Sequence, residues 1–180
     1  MKETKEQQRA VIIDTEASNL LGPALDYSCM PYKLKPEFKV WCIVFRDIRT
    51  GKSKSLRPEE LTFEAVDAIL QKFDVIIGHN IVGYDLPTLQ AYGLLKYRIG
   101  YPWQPHEING RIVEIYDTLL WSKLLNPDRF GGHSLAAWGR RLGYEKIDFH
   151  DFEQFSEDML IYCEQDTLTN RHLYLNLLEE

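Results

Sequence analysis

Ala10-Val11-Ile12-Ile13-Asp14-Thr15-Glu16 is the stretch on which the reading of this chain turns. Four apolar residues in a row, three of them β-branched, read as a strand buried on both faces. Two carboxylates follow at its end, one residue apart. Side chains two apart on a strand share a face, so Asp14 and Glu16 emerge together while Thr15 points away. Side by side, such groups repel and raise each other's pKa unless a cation holds them. Oxygen-only ligands favour hard ions such as Mg²⁺ or Mn²⁺. Alone, the pair fits solvated turn residues at a strand end better than a metal site.

Working outward, the next twenty or so residues carry Gly22, Pro23, Pro31 and Pro36 and read as a long irregular surface excursion. Lys39 to Asp47 reads as a second strand, with Lys52 to Leu56 pairing across the Arg49-Thr50-Gly51 turn. Phe63, Val66, Ile69, Leu70 and Phe73 recur at helical spacing, which predicts an amphipathic helix over 58–73 with Pro58 near its start. Asp74 to Ile77 is another buried strand, ended by Gly78, and Leu86 to Tyr92 a short helix stopped at Gly93. Tyr97 to Gly110, rich in Pro, Gly and aromatics, reads as a loop. Arg111 to Tyr116 reads as a strand, Asp117 as the cap of a helix through Leu125, and Ser134 to Leu142 as a helix ended by Gly143. Phe155 to Leu178 is the last and longest helix. Strands with interleaved and then accumulating helices predict an α/β fold, a mixed sheet flanked by helices.

Two further constellations carry chemistry. Gly78-His79-Asn80 and Tyr84-Asp85-Leu86-Pro87 follow a buried strand, at the edge where open α/β sheets build ligand sites. Asp85 also fits a helix N-cap, Asn80 a turn residue and His79 a satisfied buried histidine. Tyr162-x-x-x-Asp166 puts a phenol and a carboxylate one turn apart on one helical face. A phenol there can accept a hydrogen bond from an attacking water and orient it.

The bulk numbers bound the rest. The chain has 180 residues, 44% hydrophobic and 27% charged, a composition of ordinary globular kind. It has no apolar run of membrane-spanning length, and its polar start lacks a signal peptide's apolar core, which fits the cytoplasm. Three cysteines without C-x-x-C spacing give neither a disulfide framework nor a cysteine zinc site. His106, His150 and His172 show no zinc-site spacing. The net charge of −6 argues mildly against nucleic acid, but bound divalent cations invert the local field. Lys33/Lys35/Lys39, Lys52/Lys54/Arg57 and Arg140/Arg141 form local basic clusters. The whole of 1–180 reads as one domain, with 1–9 a polar tail.

D-x-E after the first buried strand, H-N with Y-D after a later one, and Y-x-x-x-D in the last helix stand in an order that resembles the DnaQ-like 3′→5′ exonuclease superfamily, whose signature is four acidic residues plus a tyrosine. The resemblance is closest to the exonuclease domain of family-A DNA polymerases of short-tailed bacteriophages. It runs from about Val11 to Leu178 and includes Tyr116-Asp117-Thr118-Leu119 and the run from Gly132 to Gly143. It implies an RNase H-like sheet and two divalent cations, Mg²⁺ or Mn²⁺. By it, Asp14, Glu16 and Asp166 are ligands of the tighter metal, Asp14 bridges to a second, Asp85 supports that second metal, and Tyr162 positions the water. The product would be a 5′-mononucleotide.

The resemblance further implies single-stranded DNA or frayed 3′ ends as substrate and a DNA polymerase domain or subunit as partner. Tyr84 and Leu20 flank the acidic motifs as candidate contacts to the terminal base or sugar, and Asn80 joins them as a substrate contact. His133 fits either a phosphate contact or the fixing of its helix, and for Asp117 helix capping is a stronger reading than metal binding. Leu135, Trp138 and Leu142 fall on one helical face and read as core. Two departures accompany the resemblance: the sequence ends at Glu180 without the polymerase region expected after such a module, which fits a fragment of a longer protein or a separate polypeptide, and the segment from Leu25 to Phe38 is long. The motifs leave open an RNA or short-oligonucleotide exonuclease, and a non-catalytic binding or polymerase-scaffolding module.

Overall fold

A computed structural model of the chain describes residues 9–26, 33–100 and 105–180. The polar tail over 1–8 and the middle of the long excursion lie outside the described residues. The elements run β1 (Ala10–Ala17), α1 (Leu21–Ala24), β2 (Leu25–Asp26), β3 (Lys33–Leu34), β4 (Val40–Asp47), β5 (Ser53–Leu56), a 3₁₀ turn (Pro58–Glu60), α2 (Phe63–Leu70) and β6 (Val75–Gly78). They continue with α3 (Asp85–Ala91), β7 (Tyr97–Arg98), β8 (His106–Ile108), β9 (Arg111–Asp117), α4 (Thr118–Leu125), α5 (Leu135–Leu142) and α6 (Glu157–Glu179).

Seven strands form one mixed sheet in the order β5-β4-β1-β6-β9-β8-β7. The three central strands β1, β6 and β9 are mutually parallel, and β4, β5, β8 and β7 add antiparallel flanks. Parallel neighbours are covered on both faces, which is why β1 and β6 are apolar runs rather than alternating ones. On one face Val11, Ile13, Ile43 and Phe45 pack against Val66 and Leu70 of α2 and Leu86 and Leu89 of α3. On the other, Ala10, Ile12 and Ile77 meet Tyr174, and Cys42 and Val44 meet Met159 and Cys163, all of these last from α6. Each fully buried Ile or Leu stabilises the fold by roughly 1.5–3 kcal/mol before entropy is counted. α5 closes the second layer: Leu135 and Trp138 pack on Leu173 and Leu177, as their shared helical face predicts, with Leu142 half-buried beside them.

Four local expectations change. β1 does not stop at Ile13 but runs through Ala17, so Asp14 and Glu16 lie within a strand, paired with Val44 and Cys42 of β4. The helix expected over 58–73 splits because Thr62 takes an extended backbone and its side chain accepts from Ala65 N–H, so α2 starts at Phe63 and Pro58 opens only a 3₁₀ turn. The Tyr97–Gly110 loop contains the hairpin β7–β8. The excursion after Ser18 contains α1 and a two-stranded ribbon of β2 and β3. The remaining boundaries hold to within two residues. Asp117 caps α4, and Gly143 ends α5 at φ +74°, where a side chain would be strained.

Candidate metal centre

The carboxyl ends of β1, β6 and β9 lie at one edge of the sheet, where open α/β sheets form ligand crevices. Asp14 and Glu16 project there from β1 toward α6, on the face that carries Ala10 and Ile12. α6 crosses that face, its N-terminus held by Ser156 accepting from Met159 N–H, and presents Tyr162, Cys163 and Asp166 toward the two acids. Asp14, Glu16 and Cys163 each bring one ligand atom within 4.8 Å of the others. This acidic and sulfur cluster has the composition to coordinate a divalent cation.

Asp85 arrives from the opposite layer. It opens α3, whose N-cap is Tyr84 rather than Asp85, and its carboxylate is buried beside Thr15, the β1 residue facing away from Asp14 and Glu16. Oδ1 of Asp85 and Oδ1 of Asp166 are both buried with no hydrogen-bond partner among the described residues. Orphaned buried carboxylate oxygens are costly and call for a cation or water to complete them.

The electrostatics agree. Burial, then the charge of Asp166, pushes the Asp14 carboxyl up to about 7. Burial, then Asp14, raises Glu16 well above the usual range, and the same two causes raise Asp85. Four acids that resist ionisation together fit a site completed by added positive charge.

One internal cation is already present. Lys146 Nζ lies 2.7 Å from Asp166 Oδ2 and 4.6 Å from the centre of the Tyr162 ring. Burial pulls the lysine pKa down, but Asp166 and Tyr162 outweigh it and the net shift is upward. Asp166 is nonetheless raised, because its burial outweighs the lysine's pull. The Tyr162 phenol is raised by burial and by Asp166, so it remains protonated at neutral pH.

Two cavities flank the cluster. One, of about 380 Å³, is lined by Glu16, Ala17, Leu20, Tyr84 and Phe152. Leu20 is exposed there, and the Tyr84 hydroxyl donates to Asn19 O at 3.3 Å. The other, of about 360 Å³, is lined by Tyr162, Lys146, Arg140 and Phe149. A larger cavity of about 590 Å³ near β7 and β8 holds one acid, Glu107, tied to Arg98, and has no comparable chemistry.

The remaining sequence candidates lie in supporting positions. Asp117 accepts from Leu119 and Leu120 N–H at the start of α4 and from Asn80 and Val82 N–H in the loop before α3. Asn80 turns that loop at φ +63°. His79 Nδ1 lies 3.0 Å from the Thr118 hydroxyl, a half-buried, satisfied ring held neutral chiefly by burial, with its pKa near 4. His133 does not join the cluster. Its Nε2 reaches Pro127 O and its Nδ1 the Ser122 hydroxyl, which also accepts from the Trp138 indole. A carbonyl only accepts, so Nε2 carries the proton and both ring nitrogens are engaged within the protein.

Lys146, Cys163, Phe149 and Phe152 were not singled out from sequence. Cys163 had a readable signal, lying three residues before Asp166 and thus on its helical face. Lys146 had none, since it comes from a segment without regular structure.

No sequence-family profile matches the chain. It is similar to the DNA-directed DNA polymerase of Enterobacteria phage T3, 27% identical over 207 residues, covering 94% of this chain and 27% of the polymerase. It is similar also to the DNA-directed DNA polymerase of Escherichia phage T7, 28% identical over 179 residues, covering 79% of this chain and 24% of that one. The chain thus spans about a quarter of the length of the polymerases it matches. In three dimensions it resembles the family B DNA polymerase from the hyperthermophilic archaeon Pyrobaculum calidifontis, with a TM-score of 0.64 and 16% identity, over 95% of this chain and 24% of that one. It also resembles Brucella melitensis NrnC bound to pGG, with a TM-score of 0.61 and 18% identity, over 97% of this chain and 74% of that one. The fold is RNase H-like, of the DnaQ-like kind. Among the described residues, no helix is long and apolar enough to cross a membrane.

Proposed function

We propose that the chain is a two-metal-ion 3′→5′ exonuclease that hydrolyses the terminal phosphodiester of a DNA strand and releases a 5′-mononucleotide. The observation that carries this reading is the convergence of Asp14 and Glu16 from β1, Tyr162 and Asp166 from α6 and Asp85 from α3 at one edge of the sheet. Asp14, Glu16, Asp85 and Asp166 would hold two divalent cations, Mg²⁺ or Mn²⁺. Such ions, once bound, would supply charge neutralisation at the scissile phosphate and a more acidic attacking water. Tyr162 accepts a hydrogen bond from that water and fixes its approach. Leu20, Tyr84 and Phe152 receive the terminal base and sugar in the cavity beside Glu16. Lys146 and Arg140 face the phosphates from the cavity on the other side. The phage relatives support a role beside or within a DNA polymerase, trimming single-stranded or frayed 3′ ends.

The test is digestion of a 5′-labelled single-stranded DNA oligonucleotide, with Mn²⁺ or EDTA, beside a matched RNA. The expected result is a Mn²⁺-dependent ladder shrinking from the 3′ end, lost in Asp14→Ala and Asp166→Ala and slowed on the order of ten-fold or more in Tyr162→Phe. Faster digestion of RNA would reassign the substrate. No digestion of either by folded protein would make the chain a binding module.

A further inference from the structure

We propose that Asp14, Glu16 and Cys163 form a mixed oxygen–sulfur site for a thiophilic divalent cation of the Zn²⁺ or Cd²⁺ class. The inference goes beyond the nuclease reading and does not require it. The three side chains bring two carboxylate oxygens and one sulfur within 4.8 Å of one another, a spacing that a single ion can bridge. Cys163 Sγ lies 3.3 Å from Asp14 Oδ2 and 3.5 Å from the Asp14 carbonyl oxygen, so the thiol, packed in the core beside Cys42, also touches the carboxylate.

A second, independent feature points into the same space. Asp166 acts as a neighbouring negative charge on both Asp14 and Glu16, and its Oδ1, at 4% residue exposure, has no hydrogen-bond partner among the described residues. Cys163 is fully buried while Asp14 and Glu16 are half-buried, so a cation enters from the carboxylate side and meets the sulfur at the floor.

Hard ions take the carboxylates and gain little from sulfur, whereas Zn²⁺ and Cd²⁺ gain a strong bond to a thiolate. Binding exchanges the thiol proton, which passes to solvent, for the cation. A thiophilic ion so held occupies the carboxylates that Mg²⁺ needs, and its bond to sulfur, which Mg²⁺ does not match, keeps it there in the presence of excess Mg²⁺.

The experiment titrates Cd²⁺ into the reduced full chain without nucleic acid, in excess Mg²⁺, and follows the ultraviolet thiolate-to-cadmium charge-transfer band. The expected result is a band saturating at one equivalent. Cys163→Ser abolishes it and weakens Cd²⁺ binding by on the order of ten-fold or more, and Asp14→Asn weakens it similarly. The Cys29→Ser/Cys42→Ser double variant, with Cys163 as its sole thiol, keeps the band and decides the matter should Cys163→Ser not fold. No band in wild type, a band that survives in Cys163→Ser, or one lost in the double variant would each overturn the assignment. Because the readout involves no substrate, these outcomes stand apart from any failure of the exonuclease reading.

Discussion

Lys146 Nζ sits 2.7 Å from Asp166 Oδ2, where it neutralises one member of a crowded carboxylate cluster. The lysine side chain is about a third exposed and the aspartate is buried, so the pair is anchored on one side only. Losing Lys146 leaves a buried, uncompensated carboxylate. Lys146→Met should therefore destabilise the metal-free protein by about 1–3 kcal/mol, the cost of breaking a buried pair discounted for the lysine's exposure. Saturating Mn²⁺ should close the gap, because an added cation replaces the missing one. Calorimetric titration at pH 8 should show the variant binding Mn²⁺ a few-fold more tightly than wild type. Weaker Mn²⁺ binding in the variant would mean that the lysine assists the ion instead of competing with it.

The raised acids set a pH dependence of stability. Ordinary carboxyls in an unfolded chain titrate near pH 4, whereas Asp14 titrates at about 7 and Glu16 and Asp85 are also raised. Between these values the folded state binds more protons than the unfolded one, so metal-free stability falls as pH rises from about 4 to about 7. Melting curves in EDTA should show a lower Tm at pH 8 than at pH 5.5, and Mn²⁺ should restore it at pH 8 and do little at pH 5.5. Asp14→Asn removes one charge and should raise the Tm in EDTA at pH 8, by about 2–4 °C for each kcal/mol of repulsion relieved. A variant destabilised equally at both pH values would show that Asp14 is held by packing rather than strained by charge.

The parts of the site that follow a period were legible in the sequence, and the parts that do not were not. Asp14 and Glu16 share a face because a strand repeats every two residues, and Tyr162 and Asp166 share one because a helix repeats every 3.6. The fold followed from the same logic, since the apolar β1 and β6 required cover on both faces. Lys146 reaches Asp166 from the segment between α5 and α6, whose path is set by tertiary packing. Thr62 illustrates a second limit. Its side-chain cap on Ala65 N–H decides where α2 starts, and Pro58 is an equally good start signal four residues earlier. The hairpin β7–β8 was hidden because its two- and three-residue strands are too short to show alternation.

Asp117 is the hinge between the helix-capping and metal readings of the Tyr116-Asp117-Thr118-Leu119 stretch. Its two oxygens accept four backbone N–H groups, two from α4 and two from the loop that leads to Asp85. Removing a cap costs about 0.5–2 kcal/mol, and each loop N–H left without an acceptor adds up to about 1–3 kcal/mol where water cannot replace it. Asp117→Ala should therefore lower the Tm in EDTA by roughly 5–10 °C. Mn²⁺ affinity should fall much less than in Asp14→Asn. An unchanged Tm in EDTA together with lost Mn²⁺ binding would make Asp117 a ligand.

Tyr84 tests the substrate end of the proposal. Its ring lines the cavity beside Glu16 with Leu20 and Phe152, and its hydroxyl is tethered to Asn19 O, so the ring is presented on a fixed backbone. A base stacked on such a ring contributes about 1–3 kcal/mol, equivalent to roughly 5- to 150-fold in binding. Tyr84→Ala should raise KM for single-stranded DNA within that range, with a smaller effect on kcat, because the carboxylates and Tyr162 are untouched. Tyr84→Phe keeps the ring and loses only the tether at 3.3 Å, so its KM should stay within about two-fold of wild type, a neutral hydrogen bond netting about 1 kcal/mol or less. Equal KM values for Tyr84→Ala and wild type would exclude the cavity as the seat of the terminal nucleotide, and a loss in Tyr84→Phe as large as in Tyr84→Ala would shift the role from the ring face to its hydroxyl.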